Sequence, residues 1–140
     1  MDTKRLGNLG ELKAMAKFAE YSIPIYIPFG ETERSDFIAD FNGALNKIQV
    51  KSTEKIVDGK MIFNLRSTSV NTVSNKSHCY NETEIDYFVL YCKENDGLYI
   101  INVQDAPRTG LYLDVSDFSS DNKMIRQAIK YELGRFLENL

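Results

Sequence analysis

A chain of 140 residues, 43% hydrophobic, matches the usual size of one globular unit, so residues 1–140 are read as a single domain. Its formal net charge of -3 runs against nucleic-acid binding, which rewards clustered cations, but a sum does not say where Lys and Arg gather, and bound divalent cations would offset an acidic site. One histidine, His78, and two cysteines, Cys79 and Cys92, without CxxC spacing exclude a multi-imidazole zinc centre and a disulfide scaffold, which leaves chemistry to carboxylates.

The opening residues carry no apolar leader, and no run approaches the roughly 18 apolar residues of a spanning helix. The expectation is a soluble, cytoplasmic protein with no membrane partner. Leu9, Leu12, Met15, Ala16 and Ala19 recur at helical spacing and predict a first helix from Gly7 to about Glu20. The Gly7–Gly10 pair lacks the preceding strand and the Lys-Ser/Thr of a phosphate loop; it reads as a helix start or as a close approach of backbone to a ligand. Pro24 and Pro28 confine residues 23–29 to an extended run.

Asp36 to Phe41 predicts a strand, Asn42-Gly43 a tight hairpin turn, and Ala44 to Ser52 the returning strand. Met61 to Arg66 predicts another strand. Residues 67–84, rich in Ser, Asn and Thr, read as a loop with one helical turn at most. Ile85–Cys92 and Leu98–Val103, separated by a turn at Glu94–Gly97, predict a second hairpin at the buried centre of the sheet. A last helix capped by Ser120 or Asp121 would carry the stripe Met124, Ile125, Ala128, Ile129, Leu133, Phe136 and Leu137. The element order predicts an α/β fold, a central mixed β-sheet flanked by the first and last helices.

Hydrolysis of a phosphodiester calls for a divalent metal that polarises the phosphate and acidifies a water, and hard cations take oxygen ligands. On the first hairpin Gln49 and Lys51 lie two residues apart and so share a strand face, while Val50, Ile48 and Phe37 turn to the core. Asp36 enters the neighbouring strand, and Glu11 lies on the first helix. Lys51 stands where it would orient or activate a water, or stabilise charge growing on a phosphate. Alone, Glu11 reads as a solvated helix carboxylate and Asp36 as a turn residue. Their order and spacing together point to a site.

The segments SDFIAD, QVKS and GNLGE resemble the PD-(D/E)XK nuclease core over most of the chain. Within that superfamily the segment Glu84 to Ile101 is similar to the central hairpin of bacterial group I intron-encoded homing endonucleases. The resemblance implies Asp36 as the invariant aspartate, Gln49 at the usual Asp or Glu position, Lys51 as the lysine and Glu11 as the helix carboxylate. Glu11, Asp36 and Gln49 would then hold Mg²⁺, with Mn²⁺ substituting. The implied function is sequence-specific cleavage of double-stranded DNA by a homo-oligomer, a dimer at least because two strands are cut, and tetramers occur in the superfamily. Two departures are visible: Ser35 replaces the proline, and Gln49 supplies an amide oxygen without charge.

Candidate DNA contacts are Lys13, Lys55, Arg66, Ser67, Ser69, Asn71, Lys76 and His78, with the polar run from Arg66 to Asn71 as a ribbon that enters the major groove. The competing reading of each cation is a solvated surface group, and of the tyrosines, Tyr80 among them, half-buried packing. Rival functions on the same core are a Holliday-junction resolvase, a restriction-type nuclease, and a non-catalytic DNA-binding module derived from a nuclease, which Gln49 and the acidic balance favour.

Overall fold

The computed structural model describes residues 1–30, 34–70, 75–116, 122 and 124–140, with residues 67–70 and 75–78 described by backbone alone. Asp2 caps the first helix, α1 (Thr3–Glu20), by accepting the Arg5 N–H at 2.9 Å. Its buried line is Leu6, Gly10, Ala14 and Phe18, one residue per turn, while Leu12 is 64% exposed. The expected stripe through Leu12, Ala16 and Ala19 is therefore corrected. Small residues at 10 and 14 let the helix settle on the sheet, and a pattern count that scores only large apolar residues overlooks them.

A short strand, β1 (Ile25–Tyr26), pairs with β2 (Phe37–Phe41), which returns through the turn to β3 (Ala44–Thr53). Asn42 and Gly43 both have positive φ, 54° and 95°, the backbone that a two-residue hairpin requires, and Asp40 accepts the Gly43 N–H at 2.6 Å. The second predicted hairpin forms as β7 (Tyr87–Cys92) and β8 (Gly97–Asn102). These strands make one five-stranded mixed sheet in the order β1-β2-β3-β7-β8, antiparallel throughout except for the parallel pair β3 and β7. Thus β7 is internal as expected, whereas β8 lies at the edge and not at the centre.

A second sheet, absent from the sequence reading, orders β10 (Ile125–Gln127), β9 (Gly110–Asp114) and β4 (Lys60–Asn64). The expected C-terminal helix is broken: β10 runs parallel to β9, a 3₁₀ turn covers Ala128–Tyr131, and only α2 (Leu133–Glu138) is helical. Met124 and Ile129 are exposed, 51% and 56%, so no single stripe exists. The open edge of β9 captures residues that local periodicity would assign to a helix. The expected caps, Ser120 and Asp121, lie outside the described residues.

Residues 67–84, expected as a loop, contain a two-stranded ribbon of β5 (Arg66–Val70) and β6 (Asn75–Cys79). Backbone pairing across a hairpin uses main-chain groups that every residue but proline carries, so a polar composition does not prevent it. Two apolar clusters hold the fold. One packs α1 and α2 on the main sheet through Phe18, Phe37, Ile48, Val50 and Leu133; the other joins the opposite face to the second sheet through Met61, Phe63, Phe88, Leu90 and Leu113. No helix among the described residues is long and apolar enough to cross a membrane.

Candidate active site

Strand β2 stops at Phe37, which pairs with Ile48, so β3 runs on past its neighbour. Asp36 fills that gap. Its backbone N–H donates to the Ile48 carbonyl at 2.8 Å, and its Oδ2 accepts the Val50 N–H at 2.8 Å. A backbone donor left unpaired by the strand end is thereby satisfied, and the carboxylate is fixed beside Gln49.

Gly10 brings the helix against the same strand. A methyl group there would collide with Ser52 Oγ and lie 3.4 Å from the Tyr91 Cβ. Close approach carries the next residue, Glu11, to hydrogen-bonding range of Asp36. Burial, then that hydrogen bond and the Asp36 charge, push the Glu11 carboxyl from its ordinary 4.5 up to about 7. Burial also raises Asp36, opposed by the bonds from Glu11 and Val50 and by the Lys51 charge. The hydrogen bond between them favours the proton on Glu11 and the charge on Asp36.

Glu11, Asp36 and Gln49 converge on one cleft of about 340 Å³, whose wall also includes Lys4, Gly7, Asn8 and Val50. Lys51 does not line that cleft. Its ammonium donates to the Arg66 carbonyl at 2.9 Å and stands 5.1 Å from the Tyr80 ring centroid. Burial lowers its pKa, and the Asp36 charge partly restores it.

Two half-buried carboxyls in contact, each raised by burial, form a site whose electrostatic cost a divalent cation would relieve. The donors are oxygens only, two carboxylates and an amide, which suits Mg²⁺ or Mn²⁺. Among the described residues no cluster of three or more His, Cys, Asp or Glu forms, so Gln49 is the third oxygen donor at hand. These residues fit the ion.

Lys4 and Asn8 were not singled out in the sequence. Their signal was present, since positions 4, 8 and 11 share a helix face with Glu11. Tyr80 was noted there only as one tyrosine among several.

The candidate DNA contacts fall in different places. Lys13 pairs with Asp96 at 3.1 Å, and that carboxylate also accepts the Tyr91 hydroxyl at 2.9 Å. Lys55 is exposed just beyond β3. Arg66 opens the ribbon with its Nε buried and without a hydrogen-bond partner among the described residues. The register sets Ser67 opposite His78 and Ser69 opposite Lys76, so the four positions share one face of the ribbon; Asn71 lies outside the described residues.

A family model described as PD-(D/E)XK endonuclease matches residues 1–134. No curated protein matches the chain. Among solved structures, a bacterial homing endonuclease, I-Ssp6803I, superposes with a TM-score of 0.78 at 21% identity, over 99% of this chain and 93% of that one. At that identity the likeness is one of fold.

Proposed function

The chain belongs to the PD-(D/E)XK endonuclease family, whose model it matches over residues 1–134, and from this premise we propose that it is a sequence-specific, Mg²⁺-dependent endonuclease acting on double-stranded DNA. The observation that carries the reading is the convergence of Glu11, Asp36 and Gln49 on one cleft, with Lys51 near enough for its charge to act on Asp36. Nucleases of this family generally use divalent metal ions and take DNA as substrate.

Glu11, Asp36 and Gln49 would hold the ion, with Mn²⁺ as a substitute. The chemistry that a bound ion would supply there is polarisation of the scissile phosphate and acidification of a water. Asp36 is oriented for this by the Val50 N–H, and Glu11 gives up the proton that its hydrogen bond to Asp36 favours. Gln49 adds a ligand without adding charge, which limits repulsion among the donors. Among the described residues no salt bridge to Lys51 forms, although it feels the Asp36 charge, and its ammonium is suited to orient the attacking water or to stabilise charge growing on the phosphate. Lys4 and Asn8 on the cleft wall would contact the DNA backbone.

Arg66 and the ribbon face of Ser67, Ser69, Lys76 and His78 are assigned to base and phosphate contacts, Lys55 to phosphate, and Lys13 to a phosphate contact in exchange for Asp96. Each chain supplies one such cleft, so cleavage of both strands calls for a dimer at least, with a tetramer as a larger closed assembly.

The test is digestion of a randomised duplex library and of a four-way junction with Mg²⁺. Cleavage at a defined duplex sequence, absent in chelator and abolished by Asp36→Ala and Lys51→Ala, is the expected result. Preferential junction cleavage would instead make it a resolvase. A folded, DNA-binding protein that cuts nothing with Mg²⁺ or Mn²⁺ would overturn the reading.

A further inference from the structure

Lys51 is gripped by both ends of the β5–β6 ribbon. Its ammonium donates to the carbonyl of Arg66, the first residue of β5, at 2.9 Å, and lies 5.1 Å from the ring centroid of Tyr80, the residue that follows β6. Arg66 pairs across the ribbon with Cys79, so both contacts come from its base. The ribbon can therefore not shift at its root without disturbing one or both.

The chemistry of the grip is selective. A carbonyl oxygen and a ring face attract an ammonium without neutralising it, whereas a carboxylate in the same place would quench the charge that a phosphate is to feel. The Tyr80 ring is itself held, edge-on to Phe88 of β7 at 5.5 Å, and it packs on the apolar cluster beneath the second sheet. It is a fixed wall.

We propose that Tyr80 is a positioning residue for Lys51, and that through Tyr80 and the Arg66 carbonyl the base of the β5–β6 ribbon is tied to the hydrolytic step. The inference rests on the assignment of Lys51 to hydrolysis made above. It predicts that the ring acts on the rate of cleavage and not on the affinity for duplex.

The test compares Tyr80→Leu, Tyr80→Phe and Lys51→Ala by single-turnover cleavage at saturating duplex in Mg²⁺, by duplex binding in Ca²⁺, and by thermal melting. Loss of the ring in Tyr80→Leu is expected to slow cleavage about 10-fold, with the duplex Kd within about twofold of the parent; Tyr80→Phe, which restores the ring, recovers most of the rate. Equal losses in rate and binding, or a parental rate in Tyr80→Leu while Lys51→Ala is inactive, would overturn the clamp alone. Full activity of Lys51→Ala would overturn the assignment of the lysine, and the clamp with it. Should Tyr80→Leu fail to fold, phenylalanines of increasing fluorination at position 80 keep the shape and weaken only the ring's negative face. A stepwise fall in rate then supports the proposal, and a flat series rejects it.

Discussion

The Val50 backbone N–H donates to Asp36 Oδ2 at 2.8 Å, where β3 runs on past its pairing with β2. The carboxylate therefore has a structural task as well as a chemical one. Asp36→Asn keeps an acceptor oxygen for that bond and removes the charge. It is expected to fold normally and to lose cleavage by about 100-fold or more in single-turnover assays. Asp36→Ala also leaves the Val50 N–H unpaired and should cost about 1–3 kcal/mol in chemical denaturation.

The acid pair makes the metal-free protein sensitive to pH. Glu11 titrates near 7 in the folded chain against 4.5 ordinarily, so between these values the folded state holds a proton that the unfolded state has released. Its contribution is fully present below the ordinary value and is lost as pH rises through 7. Asp36 is raised as well and acts in the same sense. Metal-free melting temperature should fall between about pH 5 and about pH 8, Glu11→Gln should flatten that slope, and Mg²⁺ should restore stability at the upper end. A melting temperature that rises across this window would contradict the arrangement.

Gln49→Glu restores the acidic residue usual at this position. A third carboxylate at the cleft should strengthen attraction for the cation and lower the Mg²⁺ concentration at half-maximal cleavage by about 10-fold, while making the metal-free chain less stable through repulsion with Glu11 and Asp36. Calorimetric titration with Mn²⁺ and melting in chelator measure the two effects separately.

Gly10→Ala should destabilise the chain although alanine is the better helix former. The added methyl would strike Ser52 Oγ on β3, and relief requires α1 to move off the sheet, at about 1–3 kcal/mol. Because Ser52 Oγ is buried with no hydrogen-bond partner among the described residues, Ser52→Ala should be neutral or stabilising by about 1 kcal/mol and should partly rescue the double variant. Additive losses in denaturation would show that the two residues do not meet.

Phe18 is fully buried, edge-on to Phe37 at 5.5 Å and stacked on Phe41 at 6.0 Å. Phe18→Ala should cost about 3–5 kcal/mol by urea denaturation, a large share of the roughly 5–15 kcal/mol that holds a single domain together.

The elements carried by strong local signals were legible. Asn42-Gly43 needs a positive φ at both positions, and few other dipeptides tolerate one, so the first hairpin and the shared face of Gln49 and Lys51 followed directly. The apolar run at Tyr87–Cys92 likewise announced an internal strand. Where local signals are weak the reading failed. The ribbon segments have no alternation of apolar and polar residues to betray them, and Ile125 to Gln127 look helical until the edge of β9 stands beside them.

The same division holds for the site. The two-residue period of a strand set Gln49 and Lys51 on one face beside Asp36, and the family resemblance added Glu11 as the helix carboxylate. Their meeting is not local. Glu11 reaches Asp36 only because Gly10 admits α1 onto β3, Asp36 is oriented by a backbone group that β2 fails to pair, and Lys51 is held by the two ends of a ribbon that the sequence hid. Sequence determined which side chains this protein has for the task; tertiary packing decided their distances, their desolvation and so their protonation, since these depend on neighbours far away in the chain.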